Sequence, residues 1–459
     1  MTDVPADPIS RVCSVEESSV LGISVHYLST VFLKEVEKEF GHSDCNYYEV
    51  NERMLASKKA KGAEVICPRD GAQGCSYVDA VHALESGNTD AASVMLSWSW
   101  QYSVRTVVRA LVRWCTMEKR DPKKVFVWQC ALCNNQFRVE ASKASGEWES
   151  FETFKALFEK RMDHTSHVLS LMAPWDQPIN ITRIWCVFEK YVALDKGHKF
   201  DVIMPEEEDA KFQEALETTG MQPIWDLFFK VDIQKAQATA ETDRRNILHL
   251  VDPDLPEDNL ELYSNSCARI NASVVYRLQQ WFVKQALESI QQREEAGDPI
   301  PMKAYVNVAW LLSQHRNDEK TWGLVQPMYE KGVQAGRATN QENTKEFADL
   351  LCKLGTFKQK NKILTEAAEL MTEAEMRFAK ADAHNTEEYA DFLKCRALHL
   401  RFLGHYDEMT KQLHKAQEIL EKAGLQETRT YAGVLRYLGQ CYRHTAPGKV
   451  MEYYENSKY

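Results

Sequence analysis

The sequence predicts an α/β domain followed by an all-α helical-repeat domain. In the first part, short apolar runs that end in Pro, Asp or polar residues alternate with segments whose apolar residues recur every three or four positions. This alternation is typical of an open, mostly parallel sheet with helices on both faces. Beyond Pro301, nearly every segment has helical spacing and a short motif recurs. The 459 residues also exceed what one hydrophobic core usually holds.

Composition limits the classes of function. The formal net charge of −11 argues against a nucleic-acid partner, because phosphate binding requires a basic surface. The sequence has no apolar run near the roughly 20 residues of a membrane span, and its first residues do not resemble a signal peptide. The 12 cysteines are scattered through apolar segments, which is typical of a reduced compartment. We therefore expect a cytoplasmic protein without a membrane or nucleic-acid partner.

Residues 1–85 are predicted to be an N-terminal extension of unclear fold that packs on the α/β domain as an extra layer. Residues 20–40 have amphipathic, helical spacing. Cys45, Cys67 and Cys75 lie in this extension, and a metal site is one interpretation of them. Because no CxxC pair occurs here, the spacing favours small buried thiols beside a turn.

Residues 86–255 are predicted to form the α/β domain. A helix is expected after the first predicted strand, and another after the third predicted strand. Thr182 is the predicted N-cap of the helix that follows the third strand. A further short strand and helix are expected at residues 228–251. The predicted strands are residues 92–98, 125–133, 167–172 and 199–204.

Ligands of open parallel sheets bind outside the carboxyl ends of the strands. That rule places three loops on one rim, at residues 97–100, 134–136 and 174–184. Glu189, inside the apolar helix at residues 184–194, is expected to project into the same crevice.

Glu189 is the candidate catalytic residue. It follows Trp185 by one helical turn and therefore lies on the same face. A carboxylate beside an indole tends to have a raised pKa and a fixed position. An ion pair with Arg183 or Lys190 is the alternative interpretation of this acid.

Other candidate sites are weaker. Cys130 and Cys133 have the spacing of half a zinc site, but on a strand they would point to opposite faces. His164 and His167 have a metal-like interval without a convergent partner. The sequence contains no glycine-rich phosphate loop and no nucleophile elbow. We therefore predict no metal site and no bound cofactor.

The C-terminal part is predicted to be a linker helix, at residues 256–300, followed by an α-solenoid at residues 301–459. The phrase LGTF at residues 354–357 is similar to LGHY at residues 403–406, and the two glycines are 404 − 355 = 49 positions apart. Paired helices at a long repeat are typical of a solenoid.

Residues 88–255 resemble the Toll/interleukin-1 receptor (TIR) domain, whose sheet is of the flavodoxin-like type. The phrase VMLSWSW at residues 94–100 resembles the end of the family's first strand. The phrase WCxxE at Trp185–Glu189 occupies the position of the family's helix motif, and Val202–Pro205 resembles its later strand. The C-terminal helices resemble tetratricopeptide repeats of the kinesin-light-chain type.

The TIR resemblance implies that Glu189 is the catalytic residue of an NAD glycohydrolase, with NAD as substrate. It also implies a homo-oligomer formed through the TIR-like domain, while the repeats bind a protein or peptide partner. A non-enzymatic interaction scaffold, in which Glu189 forms a structural ion pair, is the alternative. A related nucleoside-processing enzyme is a third interpretation. The predicted substrate pocket consists of Ser97, Trp98, Trp100 and Trp185.

Overall fold

A six-stranded sheet and a separate set of paired helices make up the protein. The computed structural model describes residues 13–85, 87–146, 151–218, 222–238, 241–314, 318–445 and Tyr453. The chain divides into two compact units. The first takes in the described residues of Met1–Glu214 and Gln222–Phe282, and the second those of Ala215–Met221 and Val283–Tyr459. The predicted order of an α/β part followed by a helical part is confirmed.

The sheet has the strand order β2-β1-β4-β3-β5-β6. Strands β4, β3, β5 and β6 are parallel to one another, whereas β1 is antiparallel to both β4 and β2. Every residue of β3 and β5 is buried, which explains why their sequences are mostly apolar. The strands are β1 (Leu21–Ser24), β2 (Thr89–Ala91), β3 (Val94–Ser97), β4 (Phe126–Trp128), β5 (His167–Leu171) and β6 (Lys199–Ile203).

The leading residues contribute a strand to this sheet and do not form a separate layer. Residues 21–24 were predicted to be helical, but they form β1, which pairs with β4 at Ile23 and Val127. A Cβ on Gly22 would lie 3.0 Å from the Val127 carbonyl oxygen, so the close approach of the two strands requires glycine. The helical spacing is real only from Val25 onward, where helical turns continue to Phe40.

Helices connect and flank the strands of the first unit. Short π-helical turns at Leu28–Phe32 and Asn51–Leu55 extend two of them, and a 3₁₀ turn at Ile179–Thr182 precedes the helix that begins at Ile184. The helices are α1 (Val15–Val20), α2 (Val25–Tyr27), α3 (Leu33–Phe40), α4 (Tyr47–Val50), α5 (Tyr77–Leu84), α6 (Val104–Met117), α7 (Cys130–Cys133), α8 (Gln136–Ser145), α9 (Phe151–Thr165), α10 (Ile184–Asp195), α11 (Glu206–Glu217), α12 (Gln222–Lys230), α13 (Glu241–Val251) and α14 (Asn265–Ala296), of which α11 and α14 extend into the second unit.

Three local predictions in this unit are wrong. The apolar run at residues 125–133 is a strand only to Trp128, because the Gln129 carbonyl accepts the amides of Leu132 and Cys133 and starts a helical turn. Thr182 is not the N-cap of α10, since its hydroxyl donates to the Ile179 carbonyl. No strand forms at the described part of residues 228–251. Gln237 makes only an isolated bridge there, with the N-terminus of α10.

Asp79 anchors the leading segment. Its side chain is buried and accepts hydrogen bonds from the hydroxyls of Ser18, at 2.6 Å, and Ser76, at 2.5 Å. The Arg69 guanidinium forms an ion pair with the same carboxylate at 3.3 Å and also donates to the Cys133 carbonyl. The Asp79 carboxylate therefore connects α5 to α1 and to the loop before α5. Its ion-pair partner, Arg69, also contacts α7.

The second unit consists of helical pairs. The helices are α15 (Met302–Leu312), α16 (Glu319–Gly323), α17 (Val325–Ala338), α18 (Lys345–Lys360), α19 (Leu364–Lys380), α20 (Glu387–Phe402), α21 (Tyr406–Lys422) and α22 (Arg429–Thr445). Within the described residues of both units, no helix is long and apolar enough to cross a membrane.

The repeat in this unit has a period of 42 residues. Thr344, Thr386 and Thr428 each accept a backbone amide three residues later at the start of α18, α20 and α22, and each lies 42 residues after the one before. Asn340, Asp382 and Gly424 share a left-handed backbone at the same interval, with φ of +56°, +50° and +70°. The predicted 49-residue pairing is wrong, because residues 354–357 lie inside α18, whereas residues 403–405 form the turn between α20 and α21 and Tyr406 begins α21.

Close packing between α17 and its neighbours depends on Gly336. A Cβ at this position would lie 2.6 Å from a Phe347 ring carbon and 2.8 Å from the Met302 sulfur. We expect Gly336→Ala to lower the free energy of unfolding by about 1–3 kcal/mol, because both neighbours would have to move. Gly323→Ala is the matched control, since no atom lies within 4 Å of its added Cβ. Urea unfolding of both variants measures the difference, and equal stability would contradict the packing described.

Candidate functional site

The candidate site lies at the carboxyl ends of β3, β4 and β5. Strand β3 is the point at which the strand order reverses, because β4 and β5 lie on its two sides. Ligands of open α/β sheets bind in the crevice at such a point. Ser97, the last residue of β3, pairs with Ser170 of β5. The Asn180 side chain donates to the Ser170 hydroxyl at 2.9 Å, so the loop after β5 folds back over this edge.

Glu189 is partly buried on the second turn of α10. Its Oε2 atom is buried and makes no hydrogen bond within the described ranges. No cation of that part of the chain forms an ion pair with Glu189, and the adjacent Lys190 ammonium donates to the Cys186 carbonyl instead. The ion pair that the scaffold interpretation requires is therefore not formed with Arg183 or Lys190.

Burial raises the pKa of Glu189 to about 7, while the nearby Ser97 hydroxyl and the positive charge of Lys190 act in the opposite direction. The same carboxylate contributes to the raised pKa of two neighbouring thiols. Burial raises the pKa of Cys130 to about 11 and that of Cys186 to about 12, and the charge of Glu189 adds to both shifts. Glu189, Ser97 and the two thiols thus share one environment at the edge of the sheet.

Unpartnered polar atoms are concentrated around this environment. The Ser97 hydroxyl, the Trp98 indole nitrogen and both amide atoms of Gln129 are buried and make no hydrogen bond of good geometry to the described residues. The Tyr47 hydroxyl is also buried without a hydrogen bond of good geometry to the described residues. Burying a polar atom without a partner costs about 1–3 kcal/mol, so several such atoms together mark a place where a ligand would supply the missing bonds.

Aromatic side chains surround the polar atoms. The Tyr47 ring packs edge-on against Trp98 with 4.2 Å between the ring centroids. The Trp100 indole donates to the Cys130 sulfur at 3.3 Å and lies 5.5 Å from the Tyr48 ring. Ser97, Trp98, Trp100 and Glu189, all chosen from the sequence, therefore lie in one neighbourhood.

Trp185 is oriented differently from the other predicted pocket residues. Its indole N–H donates to the Asp243 carboxylate of α13 at 3.0 Å, and its ring contacts Phe188. The predicted loop at residues 134–136 also has a structural role, because Asn134 accepts from Arg161 and Asn135 donates to the Gly74 carbonyl.

Sequence reasoning did not select Gln129 or Tyr47. Gln129 immediately follows β4, and the rule that selected Ser97 would have selected it had the strand been ended correctly. Tyr47 belongs to α4 in the leading segment, 50 residues before Ser97, and no local sequence signal connects it to the site.

The cysteines and histidines considered as metal ligands do not converge. Cys67 and Cys75 pack with Ala80 in a buried apolar cluster. His167 bonds to Asp201 across β5 and β6 at 2.8 Å, whereas His164 is exposed at the end of α9. In the parts of the chain that are described, no group of three or more His, Cys, Asp or Glu side chains is placed to hold a metal ion.

Comparison with known proteins gives no family assignment. No protein-family model matches the chain, and no curated protein is significantly similar to it.

Proposed function

We propose that the first unit is a TIR-like NAD glycohydrolase and that Glu189 is its catalytic residue. The observation that carries the proposal is the partly buried Glu189 carboxylate at the reversal point of the sheet, whose Oε2 atom makes no hydrogen bond of good geometry to the described residues. A glutamate that only stabilised the fold would be expected to have a partner. If no activity is found, the first unit is expected to be a non-enzymatic interaction scaffold.

The strand order supports the TIR-like part of the proposal. When β3, β4, β5 and β6 are numbered 1 to 4 in chain order, their order in the sheet is 2-1-3-4, which is that of a flavodoxin-like sheet. The antiparallel strand β1 beyond them is a departure from a purely parallel sheet. Fold alone does not give activity, so the function depends on the site.

The chemistry of the proposed reaction suits one carboxylate. Hydrolysis of NAD breaks the bond between ribose and nicotinamide, water supplies the new oxygen on the ribose, and one proton is released. Positive charge builds on the ribose as the bond breaks, as in glycoside hydrolysis. A carboxylate held in place at Glu189 stabilises that charge. Nicotinamide is already cationic in NAD and leaves without a general acid, while the Trp98 and Trp100 rings offer surfaces for stacking.

The second unit is proposed to recognise a protein or peptide partner. Its 42-residue helical pairs, marked by Thr344, Thr386 and Thr428, are similar to tetratricopeptide-like repeats, which bind peptides or self-associate. We further propose that the first unit acts as a homo-oligomer. Sedimentation of the purified chain tests whether it forms an oligomer. The recognition role predicts that a protein partner bound by the full chain is no longer bound when the repeats are replaced by unrelated helical repeats.

A comparison of NAD with NADH tests the proposed chemistry. We expect nicotinamide release from NAD and at least about 100-fold slower cleavage of NADH, because neutral dihydronicotinamide would need the protonation that a general acid supplies. Chromatography that separates nicotinamide from ADP-ribose gives both rates. Equal cleavage of the two dinucleotides would contradict a mechanism based on a cationic leaving group.

The activity should depend on pH through Glu189. Because burial raises the pKa of Glu189 to about 7, and because the reaction uses the carboxylate, kcat/KM for NAD should rise about tenfold per pH unit below pH 7 and level off above it. Initial rates between pH 5 and 9 measure the profile. A rate that is flat across this range, or that falls with rising pH, would argue against the carboxylate as the active form.

A further inference from the structure

Gln129 is a buried glutamine whose side chain the fold does not use. Its residue is fully buried, and neither Nε2 nor Oε1 makes a hydrogen bond of good geometry to the described residues. Its backbone, by contrast, is fully engaged, since the amide donates to the Cys133 sulfur and the carbonyl accepts from Leu132 and Cys133. Gln136, a buried glutamine seven residues further along the chain, has a structural role. Its Nε2 donates to the carbonyls of Cys130 and Ala131.

The surroundings of Gln129 place its amide at the aromatic end of the candidate site. The Tyr47 hydroxyl is close enough to the Gln129 amide for the amide to lower its pKa, although burial raises that pKa further overall. The Tyr47 ring contacts Trp98, and Cys130, the next residue after Gln129, lies near the Glu189 carboxylate. The amide is therefore beside the part of the site where a base next to the cleaved bond would lie.

An amide with both atoms unpartnered has a specific complement. Gln129 offers one carbonyl acceptor and an NH₂ donor, and a primary carboxamide presents the same two groups in reverse, so two antiparallel hydrogen bonds can form. A ligand with only an acceptor would leave the Gln129 oxygen buried without a donor, which is costly. An aromatic ring that carries the carboxamide would also pack favourably against aromatic side chains such as Tyr47 and Trp98.

We propose that Gln129, with Tyr47 beside it, recognises a primary carboxamide carried on an aromatic ring. The proposal rests on the proposed function in that nicotinamide is the base of the substrate, and it assigns the selection of that base to two residues outside the catalytic step. Gln129 and Tyr47 are specificity residues, whereas Glu189 acts on the ribose.

Binding of small probes to the full chain tests this assignment without requiring turnover. The probes are nicotinamide, adenine and 3-acetylpyridine, which keeps the ring and the acceptor of nicotinamide but lacks its N–H donors. We expect the parent protein to bind nicotinamide at least about tenfold more tightly than 3-acetylpyridine, because only nicotinamide satisfies both atoms of Gln129. Gln129→Leu should remove that preference by weakening nicotinamide binding alone, and Tyr47→Phe should weaken it less.

Controls separate recognition from folding. Gln129→Leu and Gln129→Met remove no hydrogen bond of good geometry from the described fold, so thermal unfolding should show both to be as stable as the parent or more so. Gln359→Leu is the matched control, because Gln359 is a buried glutamine of α18 in the second unit whose Oε1 is also unpartnered. It should leave probe binding unchanged.

The outcomes distinguish this proposal from the proposed function. Selective nicotinamide binding that Gln129→Leu abolishes supports the assignment, even if NAD is not hydrolysed and the proposed function fails. Hydrolysis of NAD in which Gln129→Leu keeps the preference for nicotinamide overturns the assignment and leaves the proposed function intact. A parent that binds none of the probes, or that prefers adenine through Gln129, also overturns it.

Discussion

Glu189→Gln should reduce nicotinamide release from NAD by roughly 10³-fold or more, with little change in the affinity for NAD. The glutamine keeps the size and a carbonyl oxygen of the side chain but cannot carry the negative charge that stabilises the ribose cation. Losses of this order follow removal of one electrostatic group that acts on the transition state. Steady-state rates with NAD give kcat and KM, and the loss should fall on kcat.

The stability of the same variant provides an independent check on the site. The raised pKa means that the folded protein holds a proton on Glu189 that the unfolded chain loses near pH 4.5, so the stability of the parent falls as the pH rises from about 4.5 through 7. Glu189→Gln removes this dependence and should be more stable than the parent by roughly 1–3 kcal/mol at pH 8, with no gain near pH 4. Glu159→Gln, at a glutamate of α9 that pairs with Lys155, is the control and should change neither activity nor this dependence. Undiminished activity in Glu189→Gln would remove Glu189 from the reaction.

Asp79→Ala should lower the free energy of unfolding of the first unit by about 3–5 kcal/mol. The substitution leaves the Arg69 guanidinium without its carboxylate in a mostly buried position and also removes the acceptor of the Ser18 and Ser76 hydroxyls. Chemical denaturation followed by tryptophan fluorescence measures the change. Asp70→Ala is the matched control, because Asp70 pairs with Arg138 at 2.6 Å but both side chains are more than one-third exposed. Its effect should stay below about 1 kcal/mol.

The Asp79 result also tests the place of the leading segment. If residues 13–85 are part of the sheet unit, Asp79→Ala should unfold α5 and the sheet in one transition. A separate early transition that leaves the sheet folded would show that the segment folds independently of the sheet and would contradict this placement.

Strands with a purely local signal could be predicted, and those that depend on distant pairing could not. The cores of β3, β5 and β6 are apolar runs bounded by polar residues and turns, so they were recognisable. Residues 21–24 are equally compatible with a buried helix, and only their pairing with β4, about 100 residues later, makes them β1. The repeat was misaligned for a related reason. The sequences LGTF and LGHY at residues 354–357 and 403–406 are similar, but the period is set by the helix starts at Thr344, Thr386 and Thr428.

Part of the candidate site was also predictable. The position of Ser97 and Trp98 at the end of a buried run, and of Glu189 within an apolar helix, brought them together through the rule for parallel sheets. Gln129 was hidden because the apolar run continues past it to Cys133, although a helical turn begins there. Tyr47 reaches the site only through the tertiary fold, which no spacing along the chain could reveal.

The most direct test of the central claim is NMR observation of NAD mixed with the full-length protein over a range of protein concentrations, with a crowding agent at the highest. The proposed function predicts that free nicotinamide and ADP-ribose appear in equal amounts, with a rate per protein molecule that rises with concentration if the first unit acts as an oligomer. Unchanged NAD in the presence of folded protein at every concentration would contradict it and would favour the interaction scaffold.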